Sequence, residues 1–460
     1  MVNHVAIFRG APSYEDATAI QSLVNSAVDA LRLPADFIRP GDRVVLKPNW
    51  VKEHNLRRPD DEQSWLTVVT HPAVILEVAR WAARRLQGRG AITICDAPQS
   101  DSSFDKIRAY CQLDKLRERC VREFPGITFQ VLDLRSEGWI ARDGVPVART
   151  QLPGDPAGVV NIHLDENSEF IGYRGQGRLY GAAYDFAVTN RQHCDPRHEY
   201  LFSRTPLAAD VLINLPKLKT HKKVGLTVAL KNMIGTTART NWLPRHTEGT
   251  PAQGGDQFAD STGKLKIESV VMGEIKRILK DRHRLARLFV PLKKLGRLYF
   301  GDTETTVRSG NWHGNDTCWR MILDLTKCLV HYDGTGERRQ QPLRYLVVVD
   351  GIIAGEGDGP MACDPRPCGV IMAGTHPVAV DCVAATLMGF DWRKTKLLRN
   401  AFEITRLPIV DFSAADIQVV SNQSGWTGRM EDMKDCFEFR PHFGWAGHLE
   451  TDERLARTRA

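Results

Sequence analysis

The chain reads as an α/β protein of two lobes, each a mainly parallel sheet flanked by helices, with a basic helical insertion between them. Three observations predict this. Short apolar runs alternate with amphipathic stretches of helical length over the first two hundred residues. The same alternation resumes near residue 310. Between the blocks lie a Gly-, Thr- and Pro-rich stretch, 238–264, and a basic amphipathic stretch, 267–298. Strands that alternate with helices form parallel sheets with covered faces. The expected units are a first lobe at 1–260, the insertion at 261–305, a second lobe at 306–445 and a tail at 446–460.

In chain order, Val5–Phe8, Val44–Leu46, Ile92–Cys95 and Phe129–Leu132 are apolar runs of strand length. Glu15–Leu33, Ala73–Leu86 and Phe104–Glu123 have helical length and periodicity. In the second block Trp319–Leu329 and Val378–Met388 read as helices, Tyr345–Val349 and Gly369–Ala373 as strands. His71-Pro72 and His376-Pro377 look like helix starts, because proline suits the first helical position.

Composition excludes several classes. With 460 residues, 42% hydrophobic and 25% charged, the chain is neither disordered nor a coiled-coil rod. No apolar run reaches the ~18 residues a bilayer span needs, and no signal peptide is visible, so a cytoplasmic protein is expected. The ten cysteines include no CxxC, so no iron–sulfur cluster is encoded. There is no GxxxxGK[ST], no GxGxxG opening a helix after a strand and no GxSxG, so neither ATP, NAD nor a hydrolase elbow is indicated. The net charge of +7 is concentrated: between Lys264 and Arg297 eleven basic residues face three acidic ones. That composition suits peripheral contact with an anionic membrane, whereas sparse aromatics make nucleic acid a poor match.

The densest polar signal runs from Ile213 to Gly235. If 213–221 is extended, Lys217, Lys219 and His221 share a face beyond Ile213 and Leu215. Pro216 places that stripe at an edge or in a cleft. Val224–Ile234 reads as a helix ended by Gly235, so the lysines would meet a helix N-terminus, a natural anion site. Neighbouring lysines would also lower the pKa of His221 and favour a neutral general base. Lys47, Asn49 and Asp96 follow strands, where open parallel sheets place ligand groups. Asp350, Glu356 and Asp358 lie in a glycine-rich loop after a strand, and Asp381 lies in the next helix. Together they could hold a divalent metal such as Mg²⁺, or serve as caps and turns.

The string Leu215-Pro-Lys-Leu-Lys-Thr-His221, then Lys231-Asn-Met-Ile-Gly235, resembles the family called domain of unknown function 362. Leu46-Lys-Pro-Asn49, Gly314-Asn-Asp316, Asp350-Gly-Ile, Glu356-Gly-Asp-Gly-Pro360 and His376-Pro-Val-Ala-Val-Asp381 match it in order. The match adds Asn232, Asn315 and Asp316 as substrate contacts, but implies no reaction. A more distant resemblance is to nickel-dependent lactate racemases, through the spacing of His221, Gly225 and Lys231. It implies His221 as an acid/base, Lys231 as the anchor of a nickel pincer cofactor and His246 as a metal ligand. Leu226–Leu230 replaces that family's glycine-rich run.

The expected function is therefore an enzyme of proton or hydride transfer, isomerase- or epimerase-like. Its substrate would be a small anionic metabolite, a carboxylate or phosphate ester, held by lysines in an interlobe cleft. The alternative is a non-catalytic protein that docks on anionic membrane or nucleic acid through 264–298.

Overall fold

The computed structural model describes residues 3–142, 145–181, 186–260 and 306–459. The basic insertion expected at 261–305 lies outside the described residues. The framework is a mixed sheet of eleven strands. We number them β1 (Asn3–Arg9), β2 (Arg43–Pro48), β3 (Gly90–Asp96), β4 (Ile127–Asp133), β5 (Val211–Leu215), β6 (Lys217–His221), β7 (Gly225–Thr227), β8 (Arg344–Asp358), β9 (Ala362–Gly374), β10 (Ile417–Ser421) and β11 (Gly428–Arg429). The order is β11-β10-β1-β9-β8-β5-β2-β3-β4, with β6 pairing to β8 and β7. From β8 to β4 every neighbour is parallel.

The mainly parallel, helix-flanked sheet is as expected, but the strands of the two blocks do not form separate sheets. β5 lies between β2 and β8, and β1 lies between β9 and β10, so the two stretches interleave. The cause is visible in the burial pattern. Alternate residues of the central strands enter opposite cores: Val5 and Ile7 one, Ala6 the other; Leu212 one, Val211 and Ile213 the other. Strands apolar on both faces need covering on both sides, which one central sheet provides.

Helices α1 (Ala17–Asp29) and α2 (Pro72–Leu86) cover one face. Helices α6 (Cys318–His331) and α7 (Pro377–Leu387) cover the other. His71 and His376 are the N-caps of α2 and α7, each Nδ1 accepting a backbone N–H two residues on at 3.2 Å. The expected helix at 104–123 is interrupted: α3 (Phe104–Tyr110) ends, Gln112 takes φ +46°, and α4 (Leu113–Glu123) begins.

Two expectations are corrected near the motifs. Val224–Ile234 is not one helix. Gly225, at φ +85°, turns the chain back so that β7 pairs antiparallel with β6, and only α5 (Ala229–Asn232) is α-helical, followed by a 3₁₀ turn over Met233–Thr236. Residues 351–358 are not a loop but the outer half of β8, paired to β9. Gly355 permits this, since a Cβ there would press on Cys363 and on the Cβ of Lys219.

Candidate active site

The carboxyl ends of β2, β3 and β6 converge on a cleft of about 400 Å³. It is lined by Lys47, Asn49, Asp96, His221, Lys231, Asn232 and His246 among the residues expected from sequence, and by Lys222, Lys223 and Arg245 besides. Five lysines and arginines thus face two aspartates, Asp96 and Asp101. The cleft is cationic.

Its floor is a buried polar lattice. Lys47 Nζ lies 2.7 Å from Asp96 Oδ1 and donates to the Pro48 carbonyl and to Asn232 Oδ1. Asp96 also accepts the Trp50 and Ala97 N–H groups at 2.6 and 2.9 Å. Burial pushes the Asp96 carboxyl up and the Lys47 ammonium down, and the attraction between them opposes both shifts. Asn232 donates to the Lys47 carbonyl and to Asn214, joining α5 to β2 and β5. Gly235 passes directly over the Lys47–Asp96 pair, where a Cβ would overlap the carboxylate. Gly235→Ala should therefore destabilise the fold by ~1–3 kcal/mol, the usual cost of overpacking, as measured by urea denaturation.

The expected anion site at a helix N-terminus is filled from within the protein. Asp381 of α7 accepts the Ala229 and Leu230 N–H groups of α5 at 2.7 and 3.1 Å. Its carboxyl is pushed up to about 7 by burial. Asp381 thus caps another helix instead of stabilising its own or holding a metal.

Lys217 and Lys219 also differ from expectation. Both are 0% exposed and neither lines the cleft. Lys217 pairs with Asp350 at 3.0 Å and donates to Tyr14 Oη at 2.7 Å. Lys219 donates to the Val68 carbonyl at 2.5 Å. The shared face is real, but β8 and the 65–71 turn cover its first two residues. Only His221 reaches the opening.

His221 is buried, and its pKa lies well below the ordinary value through burial and then the charges of Lys231, Lys222, Arg245 and Lys223. Its Nδ1 accepts the Lys223 N–H at 3.0 Å. A neutral ring accepting at Nδ1 carries its proton on Nε2. His221 therefore presents the cleft with a hydrogen-bond donor, its Nδ1 lone pair, which the free base expected from sequence would use, being taken by the Lys223 N–H.

Lys231 and Arg245 complete the site. Neither makes an ion pair with a carboxylate among the described residues, and the buried Nε of Arg245 has no partner. Burial, with Arg245 the leading neighbouring charge, lowers Lys231 to about 7. Asn315 does not face the cleft but holds Arg245 in place: its Nδ2 donates to the Arg245 carbonyl at 3.1 Å, while its Oδ1 accepts the Cys318 N–H at the start of α6. Asp316 pairs with Arg320 and Lys396 outside the cleft.

The expected metal ligands are dispersed. Asp350 serves Lys217, Tyr14 and the His71 N–H. Glu356 accepts the Arg440 N–H, and Asp358 pairs with Arg57. His246 stacks on Tyr180 at 5.1 Å. Among the described residues no group of three or more His, Cys, Asp or Glu is placed to hold a metal ion.

Residues 172–386 match the family model described as "Domain of unknown function (DUF362)", and Lys222, Lys223, Lys231, His221, Arg245 and Asp381 lie within the matched residues, whereas Lys47 and Asp96 precede them. The chain is 23% identical over 393 residues to a thylakoid-associated protein of Synechocystis sp., covering 85% of this chain and 76% of that protein. Among solved structures it is similar to a protein from Thermotoga maritima (9% identity, TM-score 0.30, 79% of this chain and 56% of that one). It is also similar to the lactate racemase apoprotein of Thermoanaerobacterium thermosaccharolyticum (11% identity, TM-score 0.30, 83% of this chain and 57% of that one). The chain spans a little over half the length of those two structures. Among the described residues no helix is long and apolar enough to cross a membrane.

Proposed function

We propose that the protein is an enzyme acting on a small organic anion, a carboxylate or phosphate ester, seated between Arg245 and Lys231 with His221 as hydrogen-bond donor to it. The observation that carries this reading is the pair of cationic side chains, in one cleft, that have no carboxylate partner among the described residues. Partly burying charge without a counter-ion is costly, so a chain that keeps two such groups together is built to receive an anion. His221 Nε2–H beside them can hydrogen-bond to a substrate carbonyl or carboxylate oxygen and polarise it, which assists the proton transfers of isomerases and epimerases. His221, Lys231 and His246 line the same cleft, and no step of this reading depends on a metal or pincer cofactor.

A thermal-shift screen of small carboxylates and phosphate esters tests the reading. A ligand at 100 times its Kd stabilises by about 2.7 kcal/mol. At least one anion should raise the Tm of the wild type and not of Arg245→Glu. A screen in which no anion does so contradicts the proposal. A second reading, peripheral contact with anionic membrane through 264–298, is favoured by the thylakoid association in the relative's name. It expects salt-sensitive sedimentation with anionic vesicles, lost when 264–298 is deleted; equal recovery with neutral vesicles would remove it.

A further inference from the structure

We propose that Lys231 is a nucleophilic amine that forms an imine with the carbonyl group of its substrate, a carbonyl compound that also bears a carboxylate or phosphate. The inference rests on the anion-binding reading of the cleft and names the substrate class.

Lys231 differs from the other buried lysines in what it touches. Lys47 pairs with Asp96, Lys217 with Asp350 and Lys327 with Glu169. Lys219 donates to the Val68 carbonyl and Lys223 to that of Ser309. Lys231 has no such partner among the described residues and opens into the cleft. Its base is rigid: Asp381 holds the first two N–H groups of α5, and Asn232 is bonded to both Lys47 and Asn214. A lysine kept only for structure would be paired. One kept only as a point charge would not need a site where burial, Arg245, Lys219 and Lys47 all disfavour its ammonium form. At a pKa of about 7 a large share is the neutral amine at neutral pH, whereas a lysine at about 10.4 is almost wholly ammonium.

The chemistry balances without an oxidant or reductant. The Lys231 lone pair attacks the carbonyl carbon, a C–N bond forms, and a nitrogen proton passes to the oxygen to give a carbinolamine. The C–O bond then breaks, the departing oxygen takes a proton, and one water leaves as the C=N bond forms. The proton that oxygen takes is matched by the one nitrogen gives up, while His221 Nε2–H, which faces the same cleft, hydrogen-bonds to the departing oxygen. Arg245 would hold the substrate's anionic group.

Pyridoxal phosphate, which carries an aldehyde and a phosphate, is a direct probe. The full chain is incubated with it, reduced with borohydride and mapped by peptide mass spectrometry. At neutral pH Lys231 should be labelled ahead of the exposed lysines, its rate should rise with a midpoint near 7, and inorganic sulfate should protect it. Lys231→Arg should still bind sulfate by calorimetry while losing that label. Labelling of Lys231 no faster than exposed lysines, with sulfate binding intact, overturns the imine and leaves the anion cleft standing. Failure of the wild type to bind sulfate overturns both.

Discussion

Asp350→Ala should cost the fold about 3–5 kcal/mol, because it leaves a buried ammonium without its carboxylate. Lys217 and Asp350 are both 0% exposed and lie 3.0 Å apart. Asp350 also accepts from Tyr14 Oη at 2.6 Å and from the His71 N–H at 2.9 Å. The Tyr14 ring stacks on His71 at 3.7 Å, so the network ties β6 and β8 to the start of α2. Lys217→Ala should be comparably damaging, yet leave anion affinity unchanged, since Lys217 does not line the cleft. Replacing both partners, Lys217→Met with Asp350→Asn, should recover much of the loss, because no buried charge then lacks a partner. Urea denaturation of the three variants checks this. A loss below 1 kcal/mol for Asp350→Ala would mean the pair is hydrated.

Arg245→Ala should weaken anion binding by ~1.5–3 kcal/mol, the range for charged hydrogen bonds, or roughly 10- to 100-fold. Its guanidinium is held at the cleft by backbone contacts on both sides: its N–H donates to the Tyr180 carbonyl at 2.7 Å, and its carbonyl accepts from Asn315. Stability should change little, since the side chain has no carboxylate partner among the described residues. Calorimetry with inorganic sulfate measures the affinity and a melt measures the stability. Unchanged affinity would remove Arg245 from the site.

Much of the framework was legible because it rests on local rules. Proline after His71 and His376 marks both helix starts, and the apolar runs at 5–8, 44–46 and 92–95 all became strands of one sheet. What local pattern does not encode is which strands become neighbours, so β1 and β5 were not expected among strands of the second block. Apart from Gly225 and Thr227 the Val224–Leu230 stretch is apolar, and nothing in its period separates a tight hairpin from a helix. Within the site, Lys47, Asn49, Asp96, His221, Lys231, Asn232 and His246 were found because the residues after strand ends and in dense polar runs converge in such sheets. Lys217 and Lys219 look identical to ligand lysines in sequence; only the covering strand and turn show that their charges are spent internally. Arg245 was missed. It is a single arginine in an irregular stretch, and its one local signal was its place beside His246.

The pH dependence of sulfate binding tests the anion cleft most directly, because sulfate keeps its charge from pH 6 to 9. Lys231, lowered to about 7 by burial and neighbouring charge, is an ammonium below that value and a neutral amine above it. The same depression makes the fold gain stability as pH rises from about 7 toward the unfolded lysine value near 10.4, where only the unfolded chain holds the proton. Anion binding has the opposite sign, since the ligand favours the ammonium. Calorimetry is predicted to show one saturable sulfate site whose affinity falls as pH rises through about 7, with the fall reduced in Lys231→Met to the share of Lys223, which lines the same cleft and is also lowered to about 7. Absence of saturable binding at pH 6, or a wild-type affinity that does not change between pH 6 and 9, would contradict it.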